Sequence, residues 1–288
     1  MKNSMIGVNL SDPDLIRNVM INNSQVYYHH NRSLKRLPPF VKLRTKIRAT
    51  EKFKLASCIV PKSMSTVMGA IQCYLNNLTI GHNDLNWENY AFCENEITES
   101  SLFSFADRYK LSLVSNNWTI VFIKRDPLDK FLSGFLDRCI RLQHSCHGCY
   151  SDVSCYLEEL YKNLKLAILS PKDIQIDDFH VAPQTWMCQM GFLRSKLHYI
   201  RYSSNPSNFL IPDLQRLFQK IKVPENHSKF MISNLQKKIT PHVTSDTTIR
   251  QILESKILSN PRLLELIKAI YYWDYKTLGF EMPKNKYK

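Results

Sequence analysis

Two stretches of the chain share one order of hydrophobic and polar positions: an apolar run, a polar loop and then a helical pattern. In the first stretch, residues 54–60 (KLASCIV) form the apolar run. After the loop, apolar residues recur at helical spacing at Val67, Ala70, Ile71, Tyr74 and Leu75. A short apolar run beside a turn predicts a buried strand, and recurrence at three and four residues predicts a helix with one buried face. Residues 54–75 are therefore predicted as strand, loop and helix.

The second stretch, residues 118–140 (WTIVFIKRDPLDKFLSGFLDRCI), repeats this order with sharper boundaries. Residues 118–123 are continuously apolar, which is typical of a strand covered on both faces in a parallel sheet. Asp126 is predicted to cap the next helix, and Pro127 suits its first position. The predicted buried stripe of that helix is Leu128, Phe131, Leu132, Phe135, Leu136 and Cys139. Two such units imply right-handed crossovers, so the predicted fold class is α/β with a central parallel sheet flanked by helices.

The rest of the pattern predicts three parts. Residues 1–52 show little periodicity and end in a basic run, so they are predicted as a partly irregular, basic leader or stem. Residues 53–283 are predicted as one domain, which 44% hydrophobic content allows to bury a full core. Residues 284–288 form a basic tail. Further helices are expected at about 152–169, 206–221, 246–258 and 261–277, and a strand at 196–203.

The charge balance indicates an anionic partner. The chain has 39 Lys and Arg against 25 Asp and Glu, a formal net charge of +14. Nucleic acid, a phosphorylated cofactor, an acidic glycan and a membrane surface all fit that charge. Nucleic-acid grooves interleave cations with stacking aromatic residues, and no such pattern is evident, so a nucleic-acid partner is not expected. The basic run within residues 31–54 either grips a polyanion or is a solvated arm.

The cysteines indicate an oxidising, secretory lumen. Eight cysteines and six N-x-S/T sequons occur in the sequence, which is typical of disulfide-bonded glycoproteins. Neither a signal peptide nor a run of about 18 apolar residues is visible, so the chain as written is predicted to be soluble. Cys146, Cys149 and Cys155 would suit zinc only with a fourth ligand such as Cys139, His144 or His147. Disulfides that staple this region, with Cys188 joining one of them, are predicted instead, and no metal is expected.

Hydroxyl and ammonium groups fill the loop of the first stretch. Lys62, Ser63, Ser65 and Thr66 stand where a helix would begin at the carboxyl edge of a parallel sheet. A helix amino terminus has unpaired N–H groups and a partial positive charge, so this edge is predicted to bind an anion. Lys62 would neutralise charge on a departing oxygen. The pattern G-x-x-x-x-G-K-[ST] is missing, which disfavours an ordinary nucleotide triphosphatase. The simpler interpretation is a helix capped by Ser or Thr.

The second stretch carries two further polar side chains. Arg125 follows the predicted strand, where its planar guanidinium suits a phosphate group. Ser133 lies about 140° from the apolar stripe at ~100° per residue, so its hydroxyl is not committed to the core. The simpler interpretations are a surface ion pair of Arg125 with Asp126 or Asp129, and an exposed helix serine.

Taken together, these stretches resemble the two sulfate-donor boxes of sulfotransferases. Residues 58–66 (CIVPKSMST) look like the 5′-phosphosulfate loop, and residues 123–139 (IKRDPLDKFLSGFLDRC) look like the 3′-phosphate box. The segments DRCIRLQHSCHGCYSDVSCYLEE, DFHVAPQTWMC, KLHYIRYS and AIYYWDYKTLGFEMP are similar to the nematode branch of Golgi carbohydrate sulfotransferases. That branch is related to chondroitin 4-O-sulfotransferases, and the resemblance spans about residues 50–283.

The resemblance implies a donor, an acceptor and a place in the cell. The donor would be 3′-phosphoadenosine 5′-phosphosulfate (PAPS), which leaves as 3′-phosphoadenosine 5′-phosphate. The acceptor would be an acidic glycan of a proteoglycan, sulfated at the 4-position of N-acetylgalactosamine in chondroitin. The enzyme would be a membrane-associated glycoprotein of the Golgi lumen. By matching positions, Arg125 and Ser133 would hold the 3′-phosphate, Lys62 would stabilise the leaving phosphate, and the 5′-phosphosulfate would lie on Lys62, Ser63, Met64, Ser65 and Thr66. Met64 stands where many relatives have a small residue.

A sugar hydroxyl is a poor nucleophile, so a base near the acceptor is expected. His82 and Glu88 lie in the interval where several sulfotransferases keep their base, His180 lies in a family-like segment, and Asp84 is a weaker candidate. Each is equally explained as a surface or structural residue.

Two other functions stay open. An ATP-dependent phosphoryl transferase would need a magnesium-binding acid, and only Asp126 stands at a strand end. A glycan-binding or nucleotide-binding relative without turnover is the other.

Overall fold

The computed structural model describes residues 7–24, 34–78, 91–112, 117–203, 208–237 and 247–285. The strands in these ranges are β1 (Ile47–Thr50), β2 (Leu55–Cys58), β3 (Thr98–Glu99), β4 (Thr119–Arg125) and β5 (Leu197–Tyr202). The α-helices are α1 (Pro13–Ser24), α2 (Ser65–Asn76), α3 (Ala91–Ile97), α4 (Leu102–Arg108), α5 (Pro127–Phe135), α6 (Val153–Leu169), α7 (Ile176–Val181), α8 (Met190–Leu193), α9 (Leu210–Lys220), α10 (Glu225–Lys237), α11 (Thr248–Ser259) and α12 (Pro261–Leu278). A π-helical turn, Leu136–Arg141, continues α5.

The described strands form one sheet in the order β3-β1-β2-β4-β5. The β2–β4 and β4–β5 pairs are parallel, which confirms the predicted α/β fold with a parallel centre. β4 is the middle strand of the parallel part of the sheet, and its residues Val121, Phe122 and Ile123 are at most 2% exposed. β1 pairs antiparallel with both β2 and β3. The sequence analysis did not predict β1, because a four-residue strand within a basic run leaves no clear apolar pattern.

Within the described chain, two compact units can be distinguished. Residues 40–125 and 184–241 contribute to the sheet unit, which contains all five strands. Residues 1–39, 126–183 and 242–288 contribute to the helical unit. The division into a leader, one domain and a basic tail stays a prediction.

One hydrophobic cluster holds α2, α9 and α10 against the sheet. It includes Leu55 of β2, Val121 of β4 and Ile200 of β5. A buried polar network also fixes α2: Ser57 Oγ donates to Gln72 Oε1 at 2.5 Å, and Gln72 Nε2 donates to the Arg48 carbonyl oxygen at 3.0 Å. Because these polar groups are buried and paired, they specify the register of α2 on β1 and β2.

Helix α5 is the centre of the helical unit. Asp126 caps it as predicted, accepting from the Asp129 N–H at 3.0 Å. The predicted stripe is buried, and two polar residues of α5, Lys130 and Ser133, are buried as well. Lys130 is 0% exposed, and its Nζ donates to the carbonyl oxygens of His180 and Ala182 at 3.0 and 2.8 Å. Ser133 is 8% exposed, so the simpler interpretation of an exposed helix serine is wrong. Residues 180–182 pack against this side of α5, which explains why it is not exposed.

All eight cysteines form disulfides, which confirms that prediction. Cys139–Cys146 and Cys149–Cys155 staple the region after α5, as expected. The predicted place of Cys188 in that region is wrong, because it pairs with Cys58, and the fourth bond is Cys73–Cys93. Cys188 N donates to Thr45 Oγ1 at 3.0 Å, which brings it to the end of β2. Sequence spacing gives no sign of this contact across 130 positions.

The zinc alternative for the cysteine-rich region is wrong, since its thiols are in disulfides and its histidines bind carboxylates. His144 Nδ1 lies 2.9 Å from Asp177 Oδ1, and His147 Nε2 lies 2.9 Å from Asp178 Oδ1. Burial raises the pKa of Asp178, while its hydrogen bond to His147 acts in the opposite direction. In the described ranges, no cluster of three or more His, Cys, Asp or Glu side chains suits a metal ion. None of the described helices has the length and apolar character to cross a bilayer.

Candidate active site

The loop between β2 and α2, residues 59–64, has an unusual backbone conformation. Lys62 has φ 62° and Met64 has φ 58°, both in the left-handed region. Residues other than glycine adopt this backbone conformation at a cost of about 1–2 kcal/mol each. The surroundings hold the loop: Ser63 N donates to the Val60 carbonyl oxygen at 3.2 Å, and the Met64 side chain packs on the hydrophobic cluster. The chain therefore makes this turn without glycine by packing and hydrogen bonding.

The same loop presents donors at the amino terminus of α2. The N–H groups of a first helical turn have no partner inside the helix, and the helix dipole adds positive charge there. Ser63 is 1% exposed, and among the described residues its Oγ has no hydrogen-bond partner. A buried hydroxyl without a partner costs about 1–3 kcal/mol, so this donor fits a ligand oxygen. Ser65 is half-buried and Thr66 is exposed. These groups fit a phosphate or sulfate group.

Arg125 reaches the loop from the end of β4. It is 5% exposed, and its Nη1 donates to the Lys62 carbonyl oxygen at 2.7 Å. Its guanidinium carbon lies 5.0 Å from the ring centroid of Tyr202, its partner in the β4–β5 register. Burial shows that the surface-ion-pair interpretation is wrong. The structure thus brings Lys62 and Arg125 together at the carboxyl ends of two adjacent parallel strands.

Three residues that the sequence analysis missed shape this edge. Gln184 is fully buried and bonds both backbone groups of Arg125, accepting from N at 3.0 Å and donating to O at 2.8 Å. Arg48 Nη1 donates to the Ser65 carbonyl oxygen at 2.5 Å. Tyr202 lies under the Arg125 guanidinium. Arg48 was visible only as part of the basic run, and the other two require the strand register to be known.

Lys124 of β4 and Arg201 of β5 are paired in the strand register and form a second group of cations. Burial lowers the pKa of Lys124, and the charge of Arg201 lowers it further, while Asp213 opposes the shift. The Asp213 carboxylate accepts from Arg201 N at 3.1 Å. Because alternate residues of a strand face opposite sides of the sheet, Lys124 and Arg201 lie on the face away from the Arg125 side chain.

The remaining predicted site residues are two residues of the helical unit and three outside the described ranges. Ser133 belongs to α5 of the helical unit, and its assignment to a 3′-phosphate stays a prediction. His180, also in the helical unit, is partly exposed and donates from Nδ1 to the Ile176 carbonyl oxygen at 2.7 Å. Its role as a base stays a prediction. His82, Glu88 and Asp84 lie outside the described residues.

The fold and this edge define a class: an α/β protein whose loop between a parallel strand and a helix has donor groups suited to an anion. The model of the sulfotransferase family matches residues 45–281, most of the 288-residue chain. The chain belongs to the sulfotransferase family and is a sulfotransferase enzyme, which confirms the predicted resemblance.

Three proteins of Caenorhabditis elegans are similar to this chain. Uncharacterized protein C18B2.2 is 31% identical over 257 residues, covering 85% of this chain and 72% of the relative. A protein named "Putative sulfotransferase vep-2" is 31% identical over 222 residues, covering 74% and 69%. Carbohydrate sulfotransferase chst-1 is 23% identical over 265 residues, covering 85% and 78%. No solved structure matches the chain.

Proposed function

We propose that this sulfotransferase transfers sulfate from PAPS to a glycan hydroxyl, with the 4-position of N-acetylgalactosamine in chondroitin as the acceptor. The observation that carries the proposal is the 2.7 Å hydrogen bond from Arg125 to Lys62, because it joins the two predicted donor boxes at one edge. The similarity to a protein named as a carbohydrate sulfotransferase supports a glycan acceptor. The net charge of +14 suits a bisphosphorylated donor and a uronic-acid polymer.

The donor residues divide into two groups. The amino terminus of α2, with Ser63, Met64, Ser65 and Thr66, would hold the 5′-phosphosulfate through backbone and hydroxyl donors. Arg125 and Ser133 would hold the 3′-phosphate. Because Arg125 also bonds the Lys62 carbonyl oxygen, its position and the shape of the loop depend on each other.

Lys62 and a base have the chemical roles. PAPS supplies a sulfuryl group, whose bond to the 5′-phosphate oxygen breaks as the glycan oxygen bonds to sulfur. The Lys62 ammonium would offset the negative charge that grows on that phosphate. The base would accept the hydroxyl proton of the acceptor, and His82, Glu88 and His180 compete for this role.

We infer the Golgi lumen, in membrane association, as the location of this glycoprotein. Four disulfides suit an oxidising compartment. Six N-x-S/T sequons suit passage through the secretory route.

Arg125→Ala is expected to weaken the binding of 3′-phosphoadenosine 5′-phosphate by about 10- to 100-fold, since a buried charged donor contributes about 1.5–3 kcal/mol. Arg125→Lys keeps the charge and loses the planar fork, so an intermediate loss is expected. Isothermal titration calorimetry measures both variants. Equal affinity in Arg125→Ala and the unaltered protein would contradict the assignment.

Two measurements test the proposed reaction. Calorimetric titration with 3′-phosphoadenosine 5′-phosphate and with ATP separates a sulfotransferase from a phosphoryl transferase; tight binding of the first alone is expected. Radiolabelled sulfate transfer to desulfated chondroitin, dermatan and heparan, followed by disaccharide analysis, identifies the acceptor and the sulfated carbon. Donor binding without turnover on any of these glycans would support a non-catalytic relative instead.

A further inference from the structure

A cavity of about 400 Å³ in the sheet unit combines aromatic and polar walls. It is lined by Phe40, Lys42, Phe103, Gln189, Gly191 and Phe192. Phe103 and Phe192 are 62% and 59% exposed, although large apolar side chains are usually buried. Exposed apolar surface with a polar rim, in a concavity of this size, marks a ligand site.

The cavity lies on the same sheet edge as the loop of Lys62. Five of its six lining residues come from the segments 40–46 and 186–192, and Phe103 comes from α4. The two segments contact each other through the hydrogen bond from Leu43 N to the Trp186 carbonyl oxygen at 3.0 Å. Both segments meet the end of β2: Ile59 N donates to the Lys46 carbonyl oxygen at 3.0 Å, and Cys188 is bonded to Cys58. The residues that follow Cys58 are the candidate donor loop.

A row of cations leads from this cavity to the sheet. Lys42, Arg44 and Lys46 are exposed, and the intervening Leu43 and Thr45 are buried. Because exposed and buried side chains alternate along residues 42–46, the three cations share one face of this segment. The Arg194 guanidinium adds a further cation, 5.7 Å from the Phe40 ring centroid. None of the six described lining residues is acidic.

We propose that this cavity and the row Lys42, Arg44 and Lys46 form the acceptor subsite, which binds a uronic-acid-containing polysaccharide. The proposal rests on the proposed function and names the residues that select its substrate. Aromatic rings pack against the apolar faces of sugar rings, and the cations pair with the carboxylates of successive uronic acids. An oxidising lumen, which the disulfides indicate, disfavours a nucleic-acid occupant. The proposal gives part of the basic run within residues 31–54 the polyanion-binding role that the sequence analysis left as one of two alternatives.

The test uses a fluorescently labelled, unsulfated chondroitin hexasaccharide and measures its binding by anisotropy at low and high salt. Phe192→Ala and Lys42→Ala are each expected to weaken binding about tenfold, as central contact residues do. Binding of the unaltered protein is expected to weaken as salt rises. Matched controls are Leu169→Ala, at a hydrophobic side chain that is 84% exposed, and Lys172→Ala, at an exposed cation. Both controls are expected to stay within about twofold of the unaltered protein.

Other outcomes separate this inference from the proposed function. Affinity for 3′-phosphoadenosine 5′-phosphate is expected to be the same in all four variants. Unchanged chondroitin affinity in Phe192→Ala and Lys42→Ala would overturn the subsite, while sulfate transfer could still stand. Loss of chondroitin binding in those variants, in a protein that never binds the bisphosphate, would support the subsite and overturn the transfer. Competition by poly-glutamate or RNA as strong as that by chondroitin would overturn the glycan assignment, and equally strong competition by neutral chitohexaose would overturn the uronic-acid assignment.

Discussion

Lys62→Ala is expected to reduce sulfate transfer by at least about 100-fold in kcat, with a smaller loss of donor affinity. The reason is that an ammonium group aimed at charge that develops during the reaction lowers the barrier by about 3–4 kcal/mol. The ground state keeps the helix amino terminus and the hydroxyl groups of Ser63 and Ser65, so 3′-phosphoadenosine 5′-phosphate should still bind. Initial rates with radiolabelled PAPS and desulfated chondroitin, together with calorimetry, measure the two effects separately.

The left-handed conformation of Lys62 requires its own control. Lys62→Gly removes the same side chain and also relieves the backbone strain at φ 62°. If the ammonium group is what matters, the glycine and alanine variants lose activity equally, while the glycine variant is at least as stable. Lys52→Ala, at an exposed lysine of the β1–β2 turn, should retain activity. Recovery of transfer in Lys62→Gly would show that the backbone, and not the charge, carries the effect.

The double substitution Cys58→Ser with Cys188→Ser is expected to lower the free energy of unfolding by about 3–5 kcal/mol. This disulfide closes a loop of 130 residues, and long loops gain the most from closure in the chain-entropy model. It should also weaken bisphosphate binding, because Cys58 ends β2 just before the donor loop. Guanidinium denaturation under non-reducing conditions, with calorimetry on the folded protein, measures both losses.

The matched control is the pair Cys149→Ser with Cys155→Ser, whose disulfide closes only six residues in the helical unit. Its expected cost is about 2 kcal/mol in the same model. Donor affinity should not change in this control. An equal or larger loss of stability in the short-loop pair would contradict the role given to Cys58–Cys188.

Features that depend on neighbouring residues could be predicted from the sequence, and features that depend on residues far apart in the chain could not. The strand and helix around Arg125 could be predicted, because the apolar run, the Asp126 cap and Pro127 all act within a few residues. The loop between β2 and α2 could be located for the same reason. β1 and the partner of Cys188 could not, since both depend on contacts between distant segments. Gln184 shows the same limit. Its side chain bonds the backbone N–H and carbonyl oxygen of Arg125 across 59 positions, a contact that a sequence pattern does not encode.

The surroundings of α5 were harder to predict. Its apolar stripe was clear from spacing, but Ser133 suited an exposed position and is buried, and so is Lys130, which lies outside the stripe. A buried lysine is tolerated because its ammonium group donates hydrogen bonds to two backbone carbonyl oxygens, those of His180 and Ala182. Every residue has a backbone carbonyl group, so the sequence does not show which of them will accept these hydrogen bonds.

The Cys58–Cys188 bond links the timing of enzyme maturation to the redox state of its surroundings. Until that bond closes, residues 186–192 have no covalent tether to the strand that bears the donor loop. In a reducing cytosol the bond would not persist, so a newly made chain would stay incomplete at that edge. This protein would then begin to transfer sulfate only after it had entered an oxidising compartment. A strong reductant added to cells should abolish its activity before the rest of the molecule unfolds.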